Sequence, residues 1–113
     1  MNAGDIILIN FPFTIPTVSK VRPAVVIAVT DDRYRDLVVC AISSVIPDTP
    51  SKREIVFNST DDDFNQTGLR ANSVVKVDRI ATLRESDVIT RIGKCSPRQW
   101  KLIVDAFQNL VSV

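Results

Sequence analysis

Histidine is absent from all 113 residues, and this removes more chemistry than any other feature of the composition. No Ser–His–Asp triad, imidazole metal site or imidazole acid–base pair can be built. Cysteine is nearly as scarce. Cys40 lies inside an apolar run and Cys95 just ahead of the last helical segment. That separation has no metal-ligand spacing, so each reads as a small hydrophobe, and a disulfide does not suit a reducing compartment. No apolar run reaches the ~20 residues that a membrane helix needs. The opening Met1-Asn2-Ala3-Gly4-Asp5 lacks the basic region of a signal peptide, so a cytoplasmic protein with no membrane partner is expected. A formal net charge of +1 excludes a generally basic surface. Any affinity for nucleic acid has to come from a local patch.

What is present is an ordinary globular composition. Hydrophobic residues make up 45% and charged residues 24%, which fills one modest core in a single domain spanning residues 1–113. Asp5–Phe11 is a short branched run bounded by Gly4 and Pro12, a strand. The two prolines Pro12 and Pro16 make the following segment a loop. Ala24–Val29 reads as a strand buried on both faces, and Leu37–Ser43 as another, joined by the polar Asp31–Asp36 connection. Arg53–Phe57 is a shorter fourth strand. Ser73–Asp78 alternates, with Val74, Lys76 and Asp78 on one side and Val75 and Val77 on the other. Ile80–Leu83 and Val88–Ile92 flank Arg84-Glu85-Ser86-Asp87, a candidate helical turn. The run Asp61-Asp62-Asp63 suits a solvated turn, and its spacing fits no calcium loop.

The one long helix starts at the end of the chain. Ser96 is a good N-cap, Pro97 a good first residue, and Trp100, Ile103, Val104, Phe107, Leu110 and Val111 form an apolar stripe. Many short strands with one terminal helix imply a mainly β fold, a small, strongly curved antiparallel barrel.

The stretch Lys20-Val21-Arg22-Pro23 stands out within this frame. Two cations precede a proline that favours the first position of a strand and pushes Arg22 toward extended backbone. Two readings stay open. The charges are ordinary solvated loop charges, or a guanidinium fork is held at the mouth of a rigid β-core, where it suits a phosphate.

Several pieces then match one pattern in order. They are Gly4-Asp5-Ile6-Ile7, Asn10-Phe11-Pro12-Phe13, Lys20–Val26, Cys40-Ala41-Ile42-Ser43-Ser44, Gly68-Leu69-Arg70, Ser73–Asp78 and Arg91–Ser96. Over nearly its whole length the chain resembles the MazF/PemK-like toxins of bacterial type II toxin–antitoxin systems. The resemblance implies an SH3-like barrel, a homodimer, and neutralisation by a cognate antitoxin. It implies an endoribonuclease that cuts single-stranded RNA at short sequences with no metal and no cofactor. The arginine before the barrel-strand proline, catalytic in that family, corresponds to Arg22. The residue closing the third strand corresponds to Ser43, with Ser44 beside it, and Lys76 and Asp78 fall where some members carry functional polar residues. The chain departs from some relatives in lacking a first-loop histidine, and from several in carrying serine, not threonine, at position 43.

RNA can be cut by its own 2′-hydroxyl, so such a protein need only orient the chain and stabilise charge on the phosphorane. Arg22 and Ser43 could do this, with Lys20, Lys52, Arg53, Arg70 and Lys76 as a backbone track. Phe11, Phe13 and Phe64 are candidates either to stack bases or to pack in a core or dimer interface. A different class is represented by the CcdB-like gyrase poisons, which share a similar barrel but carry a terminal Trp-Gly-Ile where residues 110–113 here read Leu-Val-Ser-Val. A catalytically idle RNA-binding barrel is the third reading, and an RNA cleavage assay separates it from the first.

Overall fold

The computed structural model describes residues 1–10 and 20–112. Six strands run in the order β1 (Asp5–Asn10), β2 (Val21–Val29), β3 (Leu37–Ser43), β4 (Glu54–Phe57), β5 (Ser73–Leu83) and β6 (Val88–Lys94), followed by the helix α1 (Pro97–Val111). Short 3-10 turns at Asn65–Thr67 and Glu85–Asp87 precede β5 and β6, the second where a helical turn is expected from the sequence. The strands form one antiparallel sheet ordered β4-β5-β3-β2-β1-β6.

Neighbouring residues of the apolar runs go to opposite faces of this sheet. Ile6, Val25, Cys40 and Val75 pack with Phe57, Ile103 and Ala106 under the helix. Ile7, Ala24, Val26 and Val39 build a second cluster on the other face. Both faces are therefore buried, which is why these strands lack polar alternation. Burying a side chain such as Ile103 contributes about 1.5–3 kcal/mol.

The ladder is not closed into a barrel. β4 and β6 are its edges, and the segment between β4 and β5 fills the gap. Gly93 of β6 lies against the backbone of Gln66 and Thr67, leaving no room for a Cβ, and Gly68, at φ +74°, lies equally close to the Ile92 carbonyl. Gln66 Nε2 also donates to the Lys94 carbonyl at 3.2 Å. Two glycines thus close the structure where strand pairing stops.

The local differences from the sequence reading have physical causes. β5 is one strand of 11 residues, where the sequence suggests Ser73–Asp78 and a separate Ile80–Leu83. Its register against β3 jumps from Ala41↔Lys76 to Cys40↔Ile80, and the residues between break the alternation while bending the strand. Pro23 is the third residue of β2, not the first. It pairs with Leu8 of β1, while the β3 ladder begins only at Ala24, so a missing donor is tolerated.

The helix begins as its sequence indicates. Ser96 Oγ accepts from the Gln99 N–H at 3.1 Å and the Gln99 side chain accepts from the Ser96 N–H at 2.8 Å, a capping box. Its buried line is Gln99, Ile103 and Ala106, whereas Val111, part of the apolar stripe, is 60% exposed and Leu102 is 39% exposed. Among the described residues no helix is long and apolar enough to cross a membrane.

Candidate nucleic-acid cleft

Where β2 and β3 diverge, a cleft of about 560 Å³ opens against residues 68–73. One wall comes from Val21, Arg22 and Pro23 of β2 and from Ser44 just beyond β3. The other wall is Gly68, Leu69, Arg70 and Ala71. Leu8, Ile42 and Ile92 add apolar surface between them. The wall at 68–71 takes its position from the two-glycine contact with β6.

Two guanidinium groups and a hydroxyl thus share one largely apolar space. Arg22 is half-buried and pairs with Ile9 of β1, two residues before the β3 ladder begins, and Arg70 is exposed. Neither guanidinium has a carboxylate or other hydrogen-bonding partner among the described residues. A guanidinium beside apolar walls interacts with an anion more strongly than one in open water.

The two serines differ in place. In the β2–β3 register Ala24 pairs with Ala41, and the same register continued two residues sets Arg22 level with Ser43. Ser43 Oγ accepts from the Val45 N–H at 3.1 Å and does not line the cleft, whereas Ser44 does. The sequence reading places Ser43 ahead of Ser44; the cleft itself contains the second.

The remaining basic residues named from the sequence lie outside this lining. Lys20 is exposed immediately before β2, next to Val21. Lys52 and Arg53 are exposed ahead of β4, and the Arg53 carbonyl accepts from the Val77 N–H at 3.0 Å. Lys76 is half-buried and pairs across strands with Glu54. The Glu54 carboxyl is held below its usual range, first by the Ser51 backbone N–H and least by the Lys76 charge. Asp78 is exposed in the irregular part of β5.

Phe64 is 4% exposed and belongs to the core under the helix, so of its two readings packing holds and base stacking does not. Phe11 and Phe13 lie outside the described residues. Burial pushes the Cys40 and Cys95 thiols up to about 12, with the Asp78 charge adding at Cys40 and those of Asp5 and Asp63 at Cys95. Both remain protonated at neutral pH and neither is a nucleophile there.

The aspartate run is a turn with Asp62 exposed, but it is not solvated throughout. Asp63 accepts from Ser96 Oγ at 2.6 Å and from Arg98 Nε and Nη2 at 2.9 and 2.7 Å, tying the segment before β5 to the start of the helix. Leu69 and the apolar surface of Ile92 escape a reading based on charged residues. Gly68-Leu69-Arg70 and Arg91–Ser96 are nonetheless among the segments that carry the family pattern.

Comparison with known proteins bears on the same arrangement. The family model for the PemK-like, MazF-like toxin of type II toxin–antitoxin systems matches residues 2–111. The chain belongs to this family.

Solved structures with the same fold include an endoribonuclease in complex with its cognate antitoxin from a mycobacterial species. It has a TM-score of 0.71 at 15% identity, covering 96% of this chain and 92% of that one. MazF from Deinococcus radiodurans gives 0.71 at 16% identity, covering 100% and 97%. The Mycobacterium tuberculosis toxin MazF-mt6 gives 0.65 at 20% identity, covering 93% of each. No curated protein sequence is matched.

Proposed function

We propose that this chain is the toxin of a type II toxin–antitoxin pair and an endoribonuclease that cuts single-stranded RNA at short sequences without a metal ion. The observation that carries this reading is the cleft lined by Arg22, Arg70 and Ser44, with no carboxylate among the described residues to neutralise the guanidinium groups. Family membership supports it, as do structural neighbours that include endoribonucleases.

The chemistry follows from what the cleft holds. The 2′-oxygen of the substrate attacks the adjacent phosphorus and the bond to the 5′-oxygen breaks. One fragment keeps a 2′,3′-cyclic phosphate and the other gains a 5′-hydroxyl. Arg22, fixed on the strand, stabilises the charge that builds on the phosphorane oxygens. A serine hydroxyl at the end of β3 donates a second, weaker bond, and Ser44 is the one lining the cleft. Asp78 does not line it, so solvent takes the 2′-hydroxyl proton and supplies one to the departing 5′-oxygen.

A second copy of the chain would cover apolar surface left open at Leu102, Val111 and Ile89, the last 52% exposed, so the working form is a homodimer. An antitoxin that neutralises this toxin is the natural second partner, as in the neighbouring MazE–MazF and endoribonuclease–antitoxin complexes. A toxin acting on mRNA works in the cytoplasm.

The test is digestion of a long RNA in EDTA, with the fragment ends sequenced. Cleavage should persist under chelation, and a substrate with one 2′-deoxy sugar before the cleaved phosphate should bind yet resist cutting. Normal cutting of the deoxy substrate would overturn the mechanism. Light scattering should give twice the mass of one chain.

A further inference from the structure

We infer that Arg70 is a specificity-determining residue that reads a guanine seated on the apolar part of the cleft, while Arg22 takes the phosphate. This rests on the RNA-cleaving reading of the same cleft.

The first ground is how Arg70 is held. It is an exposed side chain on a loop, yet the loop backbone is pinned on both sides of it. Leu69 N–H donates to Thr67 Oγ at 3.1 Å, and Thr67 Oγ donates to the Phe64 carbonyl at 2.6 Å. Beyond Arg70, the Ala71 carbonyl accepts from Ser73 Oγ at 2.8 Å, and Asn72 Oδ1 accepts from the Ser59 N–H at 2.6 Å. Gly68 against Ile92 fixes the near end. A backbone track needs only charge and tolerates a loose loop. Reading a base edge favours a donor fork carried on an ordered backbone, which these bonds supply while the Arg70 side chain itself stays exposed.

The second ground is what lies beside it. Leu69, Ile42, Ile92, Val21 and Pro23 supply an apolar seat in the same cleft, with no carboxylate on the lining. A base is the part of RNA that gains from such a surface; a phosphate or ribose does not. The site therefore offers one face for a flat apolar ring and a fork of donors at its margin.

The third ground is hydrogen-bond matching. Arginine has donors only. Adenine sets an amino donor beside its N7, which opposes the fork, and uracil sets an N–H between its two carbonyl oxygens. Guanine offers two adjacent acceptors, N7 and O6, and cytosine offers O2 and N3. The larger ring of guanine covers more of the apolar seat, so guanine is the base assigned.

Two measurements on the full chain test this. In the first, guanosine, 7-deazaguanosine, cytidine and adenosine are titrated separately while the methyl signals of Leu69, Ile42 and Ile92 are followed by NMR; nucleosides carry no phosphate for Arg22. Guanosine should shift these methyls and bind about 10- to 100-fold more tightly than adenosine or 7-deazaguanosine, and more tightly than cytidine by the smaller margin of its extra ring. Arg70→Lys, which keeps the charge and loses the fork, should abolish the margin over adenosine and 7-deazaguanosine.

In the second, a randomised RNA pool is cut and the ends sequenced. The wild-type protein should favour guanine at one fixed position near the cut, and Arg70→Lys should cut guanine and adenine there about equally. Cytidine binding as tightly as guanosine, 7-deazaguanosine binding undiminished, or an unchanged guanine preference in Arg70→Lys would each overturn the assignment. RNA cutting without any guanine preference would sink this inference and leave the proposed function standing. Arg70-dependent guanosine binding without RNA cutting would do the reverse.

Discussion

Arg22 and Arg98 look alike in the sequence, each beside a proline, yet they sit in opposite electrostatic surroundings. Arg98 donates to both carboxylate oxygens of Asp63, and its Nη2 lies 3.5 Å from Asp61. It ties the start of α1 to the turn before β5, its charge answered by two carboxylates. Arg22, and Arg70 across the cleft, have no such partner among the described residues. A guanidinium answered by carboxylates stabilises a fold, while one held rigidly without them has its binding capacity in reserve.

The sharpest way to break that contrast is to delete each charge and ask what is lost. Arg22→Ala should lower the rate of RNA cleavage at least about 100-fold, the scale for one transition-state donor, with little change in thermal midpoint. Arg22→Lys should restore little, because a point charge does not replace a planar fork. Arg98→Ala should do the opposite, lowering the thermal midpoint and leaving the cleavage rate nearly intact. Parallel melting curves and initial rates decide it. Normal cleavage by Arg22→Ala would mean that the open guanidinium is not the working one.

The cleft depends next on the closure that shapes its far wall. A methyl at position 93 would run into the backbone of Gln66 and Thr67, with no flexible side chain there to yield. Gly93→Ala should therefore cost at least about 2 kcal/mol, at the upper part of the range for overpacking. Urea unfolding measures it. Cleavage should fall as well, because the segment carrying Leu69 and Arg70 has to move. An unchanged urea midpoint would show that the wall is held by something other than the two glycines.

These residues show what could be read from the chain alone. The strands were legible because unbroken branched runs such as Ala24–Val29 form them, with both faces buried at Ala24–Val26 though Ala28 is exposed, and the helix because Ser96-Pro97 begins it. Arg22 was legible as a candidate through its proline and the family pattern. The closure was not, since a glycine in a strand does not say which distant backbone it will meet. Phe64 looked available for stacking only because its sequence neighbours are polar. Asp63 looked solvated because its partner Arg98 lies far along the chain, and pairing across that distance leaves no local signal. Nor could composition choose between Ser43 and Ser44.

Acid sharpens the comparison from its structural side. Hydrogen bonds from Arg98, then from Ser96, hold the Asp63 carboxyl at about 2, below the ordinary 3.8. A depressed carboxylate pKa favours the folded state above the unfolded value, and that contribution fades as pH falls from about 4 to about 2. Stability against urea should fall through this window, and Asp63→Asn should lower it at neutral pH while flattening its slope there. A slope unchanged in Asp63→Asn would assign the acid response to another carboxylate.

The smallest expected effect separates the two serines. Continued register sets Ser43 level with Arg22, but its oxygen already accepts the Val45 N–H, which shapes the turn after β3. Ser44 lines the cleft itself. A hydroxyl is neutral and gives an anion a weaker bond than a guanidinium, so losing it should cost about tenfold in rate, well short of the loss in Arg22→Ala. Ser44→Ala should show that loss in single-turnover cleavage with the thermal midpoint unmoved. Ser43→Ala should lower the midpoint slightly through the turn and affect the rate less. Ser43→Thr keeps both the oxygen and its proton, so it should behave as the parent in both measurements. A tenfold loss in Ser43→Ala that Ser43→Thr restores, with Ser44→Ala silent, would assign the hydroxyl to the residue level with Arg22 and move the reacting phosphate toward the Ser43 side of the strand.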